Sequence, residues 1–193
     1  QDILVFFICE QPQVMELLFN SIAKEDLEQF LDSVMNLTFS RSVTLKLVWY
    51  FMEMEFVKHS SVGSVEATNT LFRENSVASK LLKCYLQKVG QSFLQELLRP
   101  IVVQICVREQ RSSYEIDPDR VDSEEERVHN RELLTAAVEH VLKVITSHAM
   151  VVKMPPGIRI IAAFFDQLSR KYCPDTNSDA LIGGFLMLRY FNP

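Results

Sequence analysis

Along most of this chain apolar residues recur three or four positions apart, the spacing that lines one face of an α-helix. Val14, Leu17, Leu18 and Ile22 mark a first helix, with Pro12 well placed near its start. Leu27, Phe30, Leu31, Val34 and Met35 mark a second, entered through Lys24-Glu25-Asp26. A third runs from Ser40 to Val57 and carries Leu45, Leu47, Val48, Trp49, Phe51, Met52 and Phe56. Apolar coverage that wide predicts a helix packed on several sides. The run from Ile3 to Cys9 is too short to span a bilayer and follows no basic segment, so it reads as part of the core.

The stretch "KHSSVGSVEATNT" (58–70) is small and polar and breaks the pattern. Beyond it, Val77, Leu81, Leu82, Tyr85, Leu86 and Val89 form a clean stripe, with Asn75 or Ser76 placed to cap the helix they define. Gly90 interrupts the stripe, Phe93, Leu94, Leu97 and Leu98 resume it, and Pro100 to Val107 reads as buried helix. Leu133, Leu134, Ala137, Val138, Val141, Leu142 and Ile145 mark the next helix, ending near His148. Ile158, Ile161, Ala162, Phe165 and Leu168 mark another, begun by Pro155-Pro156 and closed by Cys173-Pro174. The last opens on Asn177-Ser178-Asp179 and runs to Tyr190. No stretch alternates like a strand over a useful length, so the expected fold class is all-α.

Composition sharpens this little: 48% hydrophobic and 23% charged residues are the balance of a globular protein of 193 residues. Only 5 glycines and 7 prolines leave long stretches free for helices. The formal net charge of -5 argues against broad nucleic-acid binding, which relies on phosphate neutralisation by Lys and Arg. Cys9, Cys84, Cys106 and Cys173 stand far apart, with no CxxC pair and no histidine nearby in sequence, so no zinc site is expected. Cys84 and Cys106 read as buried free thiols, and the setting as reducing and cytoplasmic. The acidic run from Glu115 to Glu126 lacks the glycine and ligand alternation of a calcium loop and reads as a solvated loop leading into a helix N-terminus. A first residue other than Met suggests a piece of a longer chain.

Two arginines are oddly placed. Arg73 follows Leu71-Phe72 directly, and Arg189 follows Phe185-Leu186-Met187-Leu188 in an otherwise apolar helix. Such an arginine alone would be read as a carbonyl cap or a side chain reaching for solvent. The blocks around them are "TLFRENSVASKLLKCYLQKVGQSFLQELLRPIV" (70–102), "YEIDPDR" (114–120), "PPGIRIIAAFFDQLSRKYCPD" (155–175) and "GGFLMLRYFNP" (183–193). In order and spacing they resemble the Ras GTPase-activating protein (RasGAP) family, and within it the neurofibromin-type domains. The resemblance covers the chain from about residue 69 onward. Residues 1–60 match only as a helical segment, leaving 61–193 as the N-terminal and central part of a catalytic domain. Family domains continue with further helices, and the chain is expected to lack them.

The resemblance implies a GTPase-activating protein that is not itself an enzyme and holds no cofactor or metal, since GTP and Mg²⁺ belong to the partner. That partner is a Ras-family small GTPase in its GTP state, with no nucleic acid and no direct membrane insertion. Localisation would be cytoplasmic, with membrane recruitment through the partner or flanking domains. Residue by residue, the resemblance makes Arg73 the arginine finger and Arg189 the side chain that holds the finger loop by its backbone. Leu71 and Phe72 anchor the loop, Asn75 and Ser76 cap the helix behind it, and Glu74 stands where many relatives carry a small residue. Lys153, Arg159, Arg170 and Lys171 would add positive potential toward the partner. Phe185, Leu186 and Leu188 read as core, and Gly183-Gly184 as a close helix contact. Two alternatives remain open here: a non-catalytic GTPase-binding scaffold, or a helical interaction module with a chance motif.

Overall fold

A computed structural model describes residues 3–23, 25–60, 71–72, 76–109 and 113–191. Thr70, Arg73, Glu74 and Asn75 lie outside the described residues. The described part is all-α, without a strand: α1 (Ile3–Glu10), α2 (Pro12–Ser21), α3 (Leu27–Ser40), α4 (Thr44–Ser60), α5 (Val77–Glu109), α6 (Glu124–Ile145), α7 (His148–Lys153), α8 (Pro156–Tyr172) and α9 (Ser178–Leu186), followed by a π-helical turn (Met187–Phe191). Among the described residues no helix is long and apolar enough to cross a membrane. Contacts divide the chain into two compact units, Gln1–Val89 with Pro156–Pro193, and Gly90–Pro155.

The first unit carries a core of aromatic and long aliphatic side chains. Phe19 of α2 meets Phe30 of α3 and Phe51 of α4 edge-on, at centroid distances of 5.7 and 5.2 Å. Leu31, Met35, Leu47 and Met52 are fully buried around them. The stripe on α8 behaves as its spacing predicts, with Ile158, Ile161, Phe165 and Leu168 all buried. Trp49 of α4 meets Phe164 of α8 edge-on at 4.7 Å. Glu55, also on α4, is buried, and its Oε1 has no hydrogen-bond partner among the described residues.

The short link between α3 and α4 is set by backbone geometry. Val43 N–H donates to Thr38 O at 3.1 Å and Ser42 N–H to Phe39 O at 3.2 Å, the paired bonds that close a helix on a left-handed residue. That residue is Ser42, at φ 58°, where glycine would sit without a Cβ penalty. Thr44 Oγ1 donates to Thr38 Oγ1 at 3.0 Å, which in turn donates to Met35 O, so the hydroxyls buried by the turn are paired.

Helix α5 is longer than its sequence pattern suggests: 33 residues run unbroken through Gly90 and contain Pro100. Proline removes one N–H from the ladder, yet the helix continues on both sides. Its first part belongs to the first unit and its remainder to the second. Within the second unit Phe93, Leu97 and Ile101 form a buried line at four-residue spacing. The expectation of a wholly buried 100–107 is corrected, because Val102, Val103 and Val107 are exposed. An apolar run covers every side of a helix, and here only the Ile101 side is covered. Cys106 is exposed too, not buried, whereas Cys84 is half-buried and burial pushes its thiol pKa up.

Helix α6 begins at Glu124, earlier than its apolar stripe, because Ser123 caps it by accepting from Glu126 N–H at 3.1 Å. Three glutamates then occupy the positive end of the helix dipole. Asn130 is buried and donates to Glu115 O at 2.8 Å, which ties the preceding acidic loop to α6.

Two substitutions in the first unit test this packing. Ser42→Gly should stabilise by about 0.5–1 kcal/mol by relieving the left-handed residue, raising the melting temperature by about 1–4 °C. Gly157 is tightly enclosed: a Cβ there would lie 2.7 Å from Tyr85 Oη and 3.2 Å from Val89 Cβ and Cγ1. Tyr85 cannot swing aside freely, since it is buried and stacked on Phe39 at 5.6 Å and 19°. Gly157→Ala should therefore cost about 1–3 kcal/mol. Tyr85→Phe in the same chain should return part of that loss, as thermal melts of the three variants would reveal.

Candidate functional site

Leu71 and Phe72 form a turn directly before Arg73 in sequence, and both are buried, with Phe72 only 1% exposed. Phe72 has φ 59°, a left-handed conformation costly for a bulky residue. Its ring explains why the conformation is tolerated. It sits edge-on against Phe165 of α8 at 5.0 Å, Phe56 of α4 at 5.8 Å and Phe185 of α9 at 5.8 Å. Phe165 and Phe185 are themselves 4.8 Å apart. Three helices thus supply one aromatic socket, and edge-to-face pairs of this kind add to the gain from burial alone.

The backbone of the same residue meets the second arginine. Arg189 Nε donates to Phe72 O at 3.1 Å across 117 residues of sequence. Helix α9 is anchored at its start by Asn177, whose side chain accepts from the N–H groups of Asp179 and Ala180, and by Ser178 Oγ, which donates to Asp166 Oδ1 of α8 at 3.1 Å. At its end the chain widens into the π-helical turn that contains Arg189. The extra residue in such a turn changes the direction of every side chain after it. Tyr190 follows, 3% exposed, with burial pushing its hydroxyl pKa up to about 12.

The helix behind the loop is fixed independently. Ser76 caps α5 by accepting from Ser79 N–H at 3.2 Å, and Ser79 Oγ donates back to Ser76 O at 2.9 Å. The structure therefore joins Phe72 to Arg189, beside buried Leu71, while Ser76 caps α5 on its own.

The other sequence candidates are placed differently. Lys153 belongs to the second unit and pairs with Glu96 at 2.9 Å, and Arg159 lies exposed on α8. Leu188 is exposed, which corrects its reading as core, whereas Phe185 is buried and Leu186 half-buried. Among the described residues a Cβ at Gly183 or Gly184 would meet nothing within 4 Å, so the expected close helix contact there is not seen. The socket members Phe56 and Phe165 carried no signal beyond helical spacing.

A second polar contact lies one helical turn from the socket. Glu53 Oε1 on α4 accepts from Lys171 Nζ at 2.8 Å and from Tyr172 Oη at 2.7 Å, both on the last turn of α8. The Lys171 bond, followed by the Tyr172 bond, holds the Glu53 carboxyl below the ordinary glutamate range, and Lys171 is raised in return.

The family model for RasGAP, GTPase-activator protein for Ras-like GTPase, matches residues 18–132 and 122–193. The chain is 27% identical over 187 residues to Neurofibromin-A of Dictyostelium discoideum, covering 90% of this chain and 20% of that protein. It is 30% identical over 219 aligned positions to human RasGAP-activating-like protein 1, covering 96% of this chain and 26% of that protein. Against bovine Ras GTPase-activating protein 3 it is 30% identical over 146 residues, covering 71% and 16%. The chain thus spans a quarter or less of the length of two of these relatives and about a quarter of the third.

If the Arg189 bond holds the loop base, Arg189→Ala should lower stability by about 1.5–3 kcal/mol, the range for a hydrogen bond to a charged group. It should also speed amide hydrogen exchange around residues 71–72 while leaving the cores of α2 and α3 protected. Unchanged exchange at the loop base would mean that the bond restrains nothing.

Proposed function

The chain belongs to the RasGAP family of GTPase-activator proteins for Ras-like GTPases, and on that premise we propose that it accelerates GTP hydrolysis by such a partner, with Arg73 as an arginine finger supplied in trans. The observation that carries this reading is the bond from Arg189 to the carbonyl of Phe72, the residue directly before Arg73. A long cationic side chain on a loose loop loses much of its effect to the entropy of ordering it. A loop base seated in an aromatic socket and bonded through its backbone has much of that entropy removed before the partner arrives.

GTP hydrolysis passes through a loose transition state with charge spread over the transferred phosphoryl and leaving oxygens. A guanidinium brought against those oxygens stabilises that state more than bound GTP, which is the requirement for a rate gain. Arginine suits the task because it stays charged and presents planar, forked donors, whereas lysine offers one compact charge. An arginine supplied in trans to Ras is worth about 10³–10⁵ in kcat, or roughly 4–7 kcal/mol of barrier; that magnitude is borrowed from Ras itself. In this reading the partner binds in its GTP state and brings the nucleotide and Mg²⁺, and this chain contributes no cofactor. Arg189 acts through the loop, and Glu74 and Asn75 flank the finger. Lys153 and Arg159 contribute at most a diffuse positive potential, since exposed charges are worth little singly. The setting is cytoplasmic, with membrane access through the partner.

Arg73→Ala should reduce single-turnover hydrolysis on a GTP-loaded Ras-like GTPase by about a thousandfold or more, with binding held within about tenfold. Arg73→Lys should fail nearly as badly for want of the fork. A variant retaining near-wild-type kcat would overturn the finger assignment and favour a scaffold that binds without accelerating.

A further inference from the structure

We propose that Glu53 is a positioning residue for the arginine-bearing loop, acting by clamping the last turn of α8 to α4 and so setting the aromatic socket that seats Phe72. The inference rests on the GTPase-activating reading for its kinetic consequence, but its structural part stands on geometry alone. Lys171 Nζ and Tyr172 Oη converge on the same Glu53 oxygen, at 2.8 and 2.7 Å. Trp49, one turn earlier on α4, packs edge-on to Phe164 of α8. Three residues beyond Glu53 on the same helix, Phe56 packs against both Phe72 and Phe165. Glu53 therefore sits between two aromatic contacts that join the same pair of helices.

Residues three apart on a helix are neighbours on its surface, so a shift at Glu53 is passed to Phe56 with little slack. Phe56 and Phe165 form two of the three walls against Phe72. Opening α4 from α8 would widen the socket, free the Phe72 ring and move the carbonyl that Arg189 holds. An isolated ion pair this exposed contributes little stability, since the Glu53 and Lys171 side chains retain 29% and 60% of their exposure. The clamp works instead through geometry: two donors on one oxygen define the spacing of the helices more narrowly than apolar packing alone.

The test compares Lys171→Met, Lys171→Arg, Glu53→Met and the Glu53→Met/Lys171→Met double variant in the 193-residue chain; Met keeps the length of Glu53 but offers neither donor an oxygen. Single-turnover hydrolysis on a GTP-loaded Ras-like GTPase is measured beside NMR exchange of the Arg189 Nε–H proton. Lys171→Met and Glu53→Met should each lower kcat about threefold to tenfold, well short of the hundredfold that a full ångström of misplacement can cost. KM should change less than about twofold. Lys171→Arg, which keeps a charged donor, should restore kcat, and the double variant should lose no more than the larger single loss because both remove one interaction. Exchange of the Arg189 proton should quicken in the same order. Met15→Val, which destabilises the remote α2 core, should leave kcat and that exchange unchanged. Wild-type kcat and wild-type exchange in Lys171→Met and Glu53→Met would overturn the proposal. If the unsubstituted chain stimulated no GTPase, the functional reading would fail and the exchange measurement alone would decide whether Glu53 positions the loop.

Discussion

Everything at the candidate site depends on holding one strained residue in place. Phe72 in a left-handed conformation costs about 1–3 kcal/mol, and a hydrogen bond from a charged donor such as Arg189 returns about 1.5–3. These nearly cancel. Burial of the Phe72 ring among Phe56, Phe165 and Phe185, a gain of about 1.5–3 kcal/mol, is what tips the balance toward the observed conformation. The side chain therefore stabilises a backbone that the backbone alone would not adopt. The order of causes runs from apolar packing through carbonyl direction to the arginine that follows in sequence.

The same logic separates what was legible in the sequence from what was not. The all-α class and the buried stripe of α8 follow from helical spacing, since Ile158, Ile161, Phe165 and Leu168 repeat it cleanly. The Ser76 cap was legible because a hydroxyl before an apolar stripe has a specific task. The contact of Arg189 with the Phe72 carbonyl lay within reach only through resemblance to a family, because a separation of 117 positions carries no local signal of it.

Other features were illegible for definite reasons. A left-handed glycine advertises itself, but Phe72 and Ser42 do not, as neither residue type favours that conformation. The π-helical turn leaves no mark in a run as uniformly apolar as Phe185 to Leu188. Continuous apolar runs also conceal which side of a helix is covered, so Val102, Val103 and Val107 looked like Ile101 and are exposed. Glu53 was hidden among large apolar neighbours on α4, and its partners lie 118 and 119 residues away.

The distance in sequence between Phe72 and Arg189 also gives the site a history. Closing a flexible loop of that length costs at least about 4 kcal/mol, more than the bond itself returns, so the bond can form only on helices that have already packed. During synthesis at about 5–20 residues per second, Arg189 emerges roughly 6–23 s after Phe72. Throughout that interval the nascent chain carries Phe72 without the arginine that bonds its carbonyl. Seating of Phe72 is thus a late event in the life of each molecule, timed by translation as much as by folding.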